Sequence, residues 1–176
     1  MKSDPKRTFK KLYDEYVVKI YRFIFLKVNS REIAQDLASE TFLKFWERLN
    51  NNNPKAEIKN PKAFLYQIAR NSIVDHYRRQ ASSVLVPLDG VQIQDPNSNP
   101  EKEILLVSDL QELSSALRKI PENYQNLIIW YYLEEFSVPE IAEMLNKPEN
   151  VIRVTIHRAL GALRREMTKE IDDQGN

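Results

Sequence analysis

The sequence predicts an all-α protein: two small helical domains joined by a flexible linker, the second containing a helix-turn-helix. Three observations carry this prediction. Apolar residues recur at three- and four-residue steps through both halves, and no stretch shows the alternation of a strand. The periodicity stops over residues 81–104, where Pro87, Gly90, Pro96 and Pro100 punctuate a polar run around a short apolar patch. Near the end, two short helical patterns meet at Asn146-Lys147. The expected bounds are 1–80 for the first domain, 81–104 for the linker, 105–170 for the second domain and 171–176 for a tail.

The first helix is marked by Phe9, Leu12, Tyr13, Tyr16, Val17, Ile20, Ile24 and Val28, with Lys and Arg between them. Asn29-Ser30 breaks the pattern, and Ser30 is placed to cap the next helix. That helix, from Arg31 to Leu49, has Ile33, Ala34, Leu37, Ala38, Phe42, Phe45 and Leu49 as core positions, and Asp36, Glu40 and Lys44 form an exposed row. Asn50 to Asn53 and Pro54 end it in a polar loop. A third helix starts at Asn60-Pro61, an N-cap followed by proline at the first helical position. It turns Leu65, Ile68, Ala69 and Ser72 inward and Arg70, Asn71, Tyr77, Arg78 and Arg79 largely outward. Beyond the linker, Leu110, Leu113, Leu117 and Ile120 mark a helix stopped by Pro121, and the apolar run from Asn123 to Phe136 marks another. Trp46 and Trp130 are assigned to cores, and Tyr66 and Tyr77 read as packing residues.

The last pair is the most informative. Ser137 with Glu140 three residues on is a capping box, and Pro139 is tolerated in a first turn whose N–H groups lack partners. Ile141, Ala142 and Leu145 form a narrow apolar stripe. Asn146 accepts a left-handed backbone, and Pro148 is expected at the first position of the following helix. There Val151, Ile152, Ile156, Leu160 and Leu163 are expected to face inward, with Asn150, Arg153 and His157 opposite and Arg158, Arg164 and Arg165 nearby. No acidic residue lies between Asn150 and Arg165. A helix with an apolar back and an acid-free front suits a major groove; a solvated helical hairpin is the bland alternative.

Composition narrows the function. There is no Cys, so a disulfide framework and thiol metal sites are excluded, and a reducing intracellular compartment, the cytoplasm, is expected. No apolar run approaches bilayer length and the first residues lack the apolar core of a secretory signal, so no membrane insertion is expected. Gly90, Gly161 and Gly175 are the only glycines, too few for a phosphate-cradling loop. His76 and His157 have no metal-ligand spacing, and no nucleophile sits in an elbow or triad. The expectation is a non-enzyme without metal or cofactor. The formal charge of +1 hides an asymmetry: +8 over residues 1–80, −3 over 81–107 and −4 over 108–176, where the basic residues cluster in the last helix. Two basic regions suggest two contacts with a polyanion.

In this order the segments resemble an extracytoplasmic-function (ECF) sigma factor, a two-domain promoter-recognition subunit of bacterial RNA polymerase. Three segments carry the resemblance, which covers nearly all of residues 8–168. Tyr13–Ile24 followed by Arg31–Leu49 is similar to the family's polymerase-binding helices, whose motif D-L-x-Q-E-x-F stands here as Asp36 to Phe42 with Ser39 in place of Gln. Asn60–Arg79 is similar to the promoter-melting segment. Leu117–Arg164 is similar to the −35 domain. The resemblance implies polymerase contacts at Asp36, Ser39, Glu40 and Phe42. It implies −10 contacts at Asn60, Arg70, Asn71, Asp75, Arg78 and Arg79, with the loop Asn50–Asn60 receiving a flipped base. It implies −35 contacts at Asn150, Arg153, Val154, Thr155, His157 and Arg158. Val154 and Thr155 stand where the family has polar DNA-facing residues, and both can meet thymine methyl groups. The implied partners are core RNA polymerase, promoter DNA as −35 duplex and −10 single strand, and an anti-sigma factor. Promoter elements about 17 base pairs apart lie roughly 58 Å from each other, at about 3.4 Å per base pair. A linker over 81–104 reaches on the order of 80 Å when extended.

Each assignment has a plainer counterpart. Asp36 and Glu40 also suit a solvated acidic row with Phe42 in the core; the arginines of the third helix also suit plain surface charge; Asp75 also suits pairing with Arg78 or Arg79 one turn on. The main alternative function is a stand-alone helix-turn-helix regulator, whose first half should sense a ligand or dimerise. A helical scaffold would not need the acid-free patch, and a nucleic-acid enzyme would need a metal or nucleophile constellation.

Overall fold

The computed structural model describes residues 4–51, 58–82 and 100–174. Seven α-helices follow one another among these residues: α1 Pro5–Val28, α2 Arg31–Leu49, α3 Pro61–Ser82, α4 Pro100–Arg118, α5 Glu122–Ile128, α6 Val138–Leu145 and α7 Glu149–Gln174, with a π-helical turn over Ile129–Leu133. No strand occurs among the described residues.

Local chemistry sets the boundaries. Asp4 caps α1 by accepting from the Lys6 N–H, and Asn29 ends it in the left-handed region at φ 51°. Ser30 Oγ accepts from the Ile33 N–H at the start of α2. Asn60 caps α3: its Oδ1 accepts from the Ala63 N–H at 3.0 Å. The capping box of α6 is complete, and Asn146 closes that helix at φ 50°, ψ 50°. Most of the linker expected over 81–104 falls outside the described residues. Helix α3 runs through Ser82 and α4 begins at Pro100, while residues 83–99 lie outside the described ones. Helix α7 runs through Gln174, into the segment expected as a tail.

Helices α1, α2 and α3 pack into one bundle, in which Ile20, Ile24, Ala34, Leu37, Phe45, Leu65 and Ala69 are buried. The second half packs α5, α6 and α7 around Leu127, Ile129, Ile141, Ile152, Ile156 and Leu163. The two helical domains pack against each other. Helix α4 lies along α1, and the core is continuous from one half to the other. A chain of rings crosses the seam: Trp130 stacks on Phe23 at 6.2 Å, Phe23 meets Tyr66 edge-on at 5.4 Å, and Tyr66 meets Phe136 at 5.1 Å. All four are buried. Full burial of such a side chain contributes about 1.5–3 kcal/mol each, so the seam is part of the core and not a glancing contact.

Three further expectations change. Pro148 stands one residue before α7 instead of at its first position, and its carbonyl accepts from Val151 and Ile152. Val151 is 42% exposed, not inward; Ala159 takes the buried place beside Ile156 and Leu163. The run expected as one helix from Asn123 to Phe136 changes to a π turn after Ile128 and stops at Glu134. There the Glu134 N–H reaches the Ile129 carbonyl at 2.9 Å, five residues back, and Glu135 takes φ 54°.

Candidate polymerase and nucleic-acid interfaces

Helix α2 divides its implied contacts between surface and core. Asp36 and Ser39 are exposed and Glu40 is half-buried. Glu40 pairs with Lys44 one turn on, and its other oxygen lies 4.0 Å from Arg79 of α3. Phe42 is 4% exposed, with its ring 4.8 Å from Tyr13 and 6.3 Å from Phe9. It therefore shapes the surface from beneath: Lys6, Phe9, Tyr13, Ser39, Phe42, Leu43 and Trp46 line one groove between α1 and α2. Leu43, 58% exposed, lines the same groove, a surface residue the motif alone did not single out. Its sequence signal was weak, a Leu next to an aromatic core position.

Helix α3 presents Asn71, Asp75, Arg78 and Arg79 to solvent, and Arg70 is half-buried. Asp75 and Arg78 pair at 3.8 Å along the helix, the plainer expectation for Asp75. Asn60 is held as the α3 cap, so its side-chain oxygen already has a donor. Within the loop Asn50–Asn60, residues 52–57 lie outside the described ones. Its later end borders a groove formed with Arg48, Ala63, Phe64 and Gln67 of the first half, and Glu143 and Met144 of α6 complete the wall. Arg70 Nε donates to Glu122 Oε1 at 3.2 Å, so one implied DNA contact is paired with a carboxylate of α5.

The polar pairs around this seam were not foreseen. Glu134, fully buried, accepts from Arg22 at 2.6 Å through one oxygen and from the Tyr66 hydroxyl at 2.6 Å through the other. Arg22 also donates to the Leu133 carbonyl. Lys27, 3% exposed, donates to Asn126 Oδ1 at 2.6 Å and lies 3.6 Å from Glu122. Burial pushes the Lys27 ammonium down to about 8, against the opposing pull of Glu122. Burial, then the hydrogen bond to Glu134, pushes the Tyr66 hydroxyl far up. Burial raises the Glu122 carboxyl, but the charge of Lys27 and the bond and charge of Arg70 outweigh it and hold it low. Backbone and side-chain bonds from Ser137 hold Glu140 low, and Lys62 lies 3.9 Å away. The Lys62 ammonium also sits 3.7 Å above the Phe136 ring.

Helix α7 is open by contrast. Asn150, Arg153, His157 and Arg158 are exposed, Val154 is 50% exposed and Thr155 half-buried. Among the described residues Arg153 pairs along its own helix, with Glu149 at 2.8 Å. The Thr155 hydroxyl donates to the Val151 carbonyl at 2.6 Å, so its acceptor capacity and methyl are what it offers a base. The expected face thus stands together on one side of α7. No group of metal-ligating side chains occurs among the described residues, and no helix among them is long and apolar enough to cross a membrane.

Residues 12–83 match the family described as sigma-70 region 2, and residues 110–163 match sigma-70, region 4. These spans run from within α1 through α3, and from the end of α4 into α7. The chain is 24% identical over 170 residues to the ECF RNA polymerase sigma factor SigM of Bacillus subtilis, covering 95% of this chain and 99% of that one. It is 30% identical over 160 residues to the ECF sigma factor BldN of Streptomyces coelicolor, covering 89% of this chain and 59% of BldN. The fold is similar to that of the sigma factor RpoE of Bartonella quintana, solved with the anti-sigma factor NepR: TM-score 0.67, 21% identity, 92% of this chain and 98% of that one. Both regions in order, with relatives along most of the length, identify this chain as a member of the extracytoplasmic-function family of RNA polymerase sigma factors.

Proposed function

We propose a division of labour in which α2 binds core polymerase, α3 with the loop before it holds the melted −10 strand, and α7 reads the −35 duplex. As an ECF sigma factor the chain directs promoter-specific initiation by core RNA polymerase; the stand-alone regulator is set aside. The observation that carries the division is the presence of two separate basic faces, on α3 and α7, with an acidic row on α2. Chemistry rests with the polymerase, so the chain acts by binding alone. The cytoplasm, where polymerase and promoter meet, is the compartment this work requires. An anti-sigma polypeptide is a further partner we assign by similarity to the family.

The contacts then sort by chemistry. Asp36, Ser39 and Glu40 give polymerase an acidic and polar row, and the aromatic groove above Phe42 offers an apolar seat beside it. Arg70, Arg78 and Arg79 supply phosphate contacts on α3, and Asn71 a base-edge amide. Asn150, Arg153 and His157 supply donors on α7, with Val154 and Thr155 offering methyl contact to thymine. The test is run-off transcription with core polymerase and this protein as sole specificity factor. Asp36→Arg with Glu40→Arg is expected to abolish co-purification with core enzyme at unchanged helicity. A folded double variant that still binds removes this surface from the assignment.

A further inference from the structure

We infer that Gly161 is a seat for a DNA phosphate: a notch in the outward face of α7, two turns beyond Val154, where Arg158 and Arg165 hold a phosphodiester close against the helix. The inference rests on the −35 assignment of α7 and adds a contact outside the set implied for it.

The starting point is a glycine that the fold does not need. Gly161 stands in the interior of the 26-residue helix α7. Its φ is not positive, so its backbone conformation does not call for glycine. A β-carbon placed on it would meet Arg165 Nη1 at 3.7 Å, an ordinary van der Waals distance, and no neighbouring element among the described residues. Glycine in a helix interior is destabilising relative to alanine, because it loses more backbone freedom on folding. A residue that weakens its helix and spares no clash within the chain points to a close approach from outside.

Position and charge say what approaches. Ile152, Ile156, Ala159 and Leu163 are buried and form the back of α7. At about 3.6 residues per turn, the opposite side runs through Val154, Arg158, Gly161 and Arg165. Val154 is 50% exposed and both arginines are exposed. Gly161 follows Val154 by roughly 10 Å along the axis, at about 1.5 Å per residue. The major groove is about 12 Å wide. With Val154 at the base edges, α7 therefore passes the wall of the groove at Gly161, and that wall is a row of phosphates. The ion pairs of α7 among the described residues are Arg153–Glu149 and Lys169–Glu166, and neither engages Arg158 or Arg165. The Arg165 guanidinium already lies over the notch, and Arg158 stands one turn before it. Two guanidinium forks flanking a bare stretch of helix match the oxygens of a phosphodiester. Such a contact carries no sequence information; it fixes how deeply and at what angle α7 enters the groove.

Gly161→Ala is the informative variant, because the seat predicts opposite signs for its two effects. The urea midpoint of the full chain should rise, since alanine is the better helix former. Affinity of the full chain for a random-sequence duplex of about 30 base pairs at low salt should fall about three- to tenfold, and Gly161→Leu should lower it further. The salt slope should shrink by about one in Gly161→Ala and in Arg165→Ala, the mark of one lost phosphate contact. Co-purification with core polymerase should not change in either. A urea midpoint that falls in Gly161→Ala shows that the fold needs the glycine and overturns the seat. Unchanged duplex affinity overturns it too, and leaves the −35 reading intact where Arg153→Ala still weakens binding. Loss of polymerase binding at unchanged duplex affinity gives the notch to a polymerase carboxylate and overturns the phosphate. A parent chain that binds no duplex at low salt overturns the −35 reading and the seat with it.

Discussion

Helices α3 and α7 carry the two basic faces of this chain, and the closed packing treats them in opposite ways. Arg70 of α3 is paired with a carboxylate from another helix, and the groove beside Asn60 has a wall from α6. Among the described residues Arg153 of α7 pairs with Glu149 of its own helix, and His157 and Arg158 stand exposed. The difference lies in depth as well as in partners. Behind α3 lies a fully buried carboxylate, Glu134, held by Arg22 of α1 and Tyr66 of α3. Around α7 the competing charge is a surface pair that water screens. The face proposed for −10 DNA thus has one of its arginines, Arg70, engaged by another helix, whereas the face proposed for −35 DNA is damped only by a neighbour on its own helix.

The largest effect expected from breaking this contrast is at Glu134. Glu134→Ala leaves Arg22 without its carboxylate and the Tyr66 hydroxyl without its acceptor. Removing one partner of a buried pair costs about 3–5 kcal/mol, and the partial exposure of Arg22 brings the expectation to about 2–3 kcal/mol. Urea unfolding of the full chain checks it. A loss below about 1 kcal/mol, the level of a surface pair, means that the seam is not populated in solution.

The elements were legible in the sequence because each carries its own signals. Caps at Ser30, Asn60 and Ser137 and the left-handed Asn146 all fall where the local chemistry puts them. The apolar stripe of α2 and the acid-free front of α7 follow from period alone. What period could not give is the second buried face of α1. Phe23, Leu26 and Lys27 are buried because α4, α5 and the π turn cover them, and nothing local to α1 announces a partner some hundred residues away. The same reason hid Glu134: a glutamate beside another glutamate reads as surface until an arginine and a tyrosine from the other half are placed against it. Val151 misled by its apolar character, since the true back of α7 closes with the small Ala159.

A middle-sized effect sharpens the open side of the comparison. Arg153→Ala should cost about 1–3 kcal/mol of −35 affinity and relax one base position if the guanidinium reads guanine. If it touches phosphate alone, affinity should fall evenly over all sequences and the salt slope should shrink by about one. Titrating parent and variant against promoter and scrambled duplexes at several salt concentrations separates the two. Equal affinity throughout removes Arg153 from the interface.

The smallest effect tests whether the open face is damped at all. Glu149 sits one turn before Arg153 and pairs with it at 2.8 Å, and both side chains are largely exposed. An exposed pair at this spacing is worth about 0.3–0.5 kcal/mol, so Glu149→Gln should leave the urea midpoint almost unmoved. Its effect on duplex binding should have the opposite sign to that of Arg153→Ala. Removing a carboxylate beside the expected phosphate path lowers repulsion and frees the guanidinium, so affinity for −35 duplex should rise about two- to threefold at low salt, the gain a few tenths of a kcal/mol allows. The gain should fade at high salt, because screening weakens exposed charges on both partners. Oligonucleotide binding on the −10 side should not change, since Glu149 takes no part in the contacts around α3. A gain that persists undiminished at high salt, or one that appears equally with the −10 oligonucleotide, would mean that Glu149 acts through the packing of the two halves and not on the open face alone.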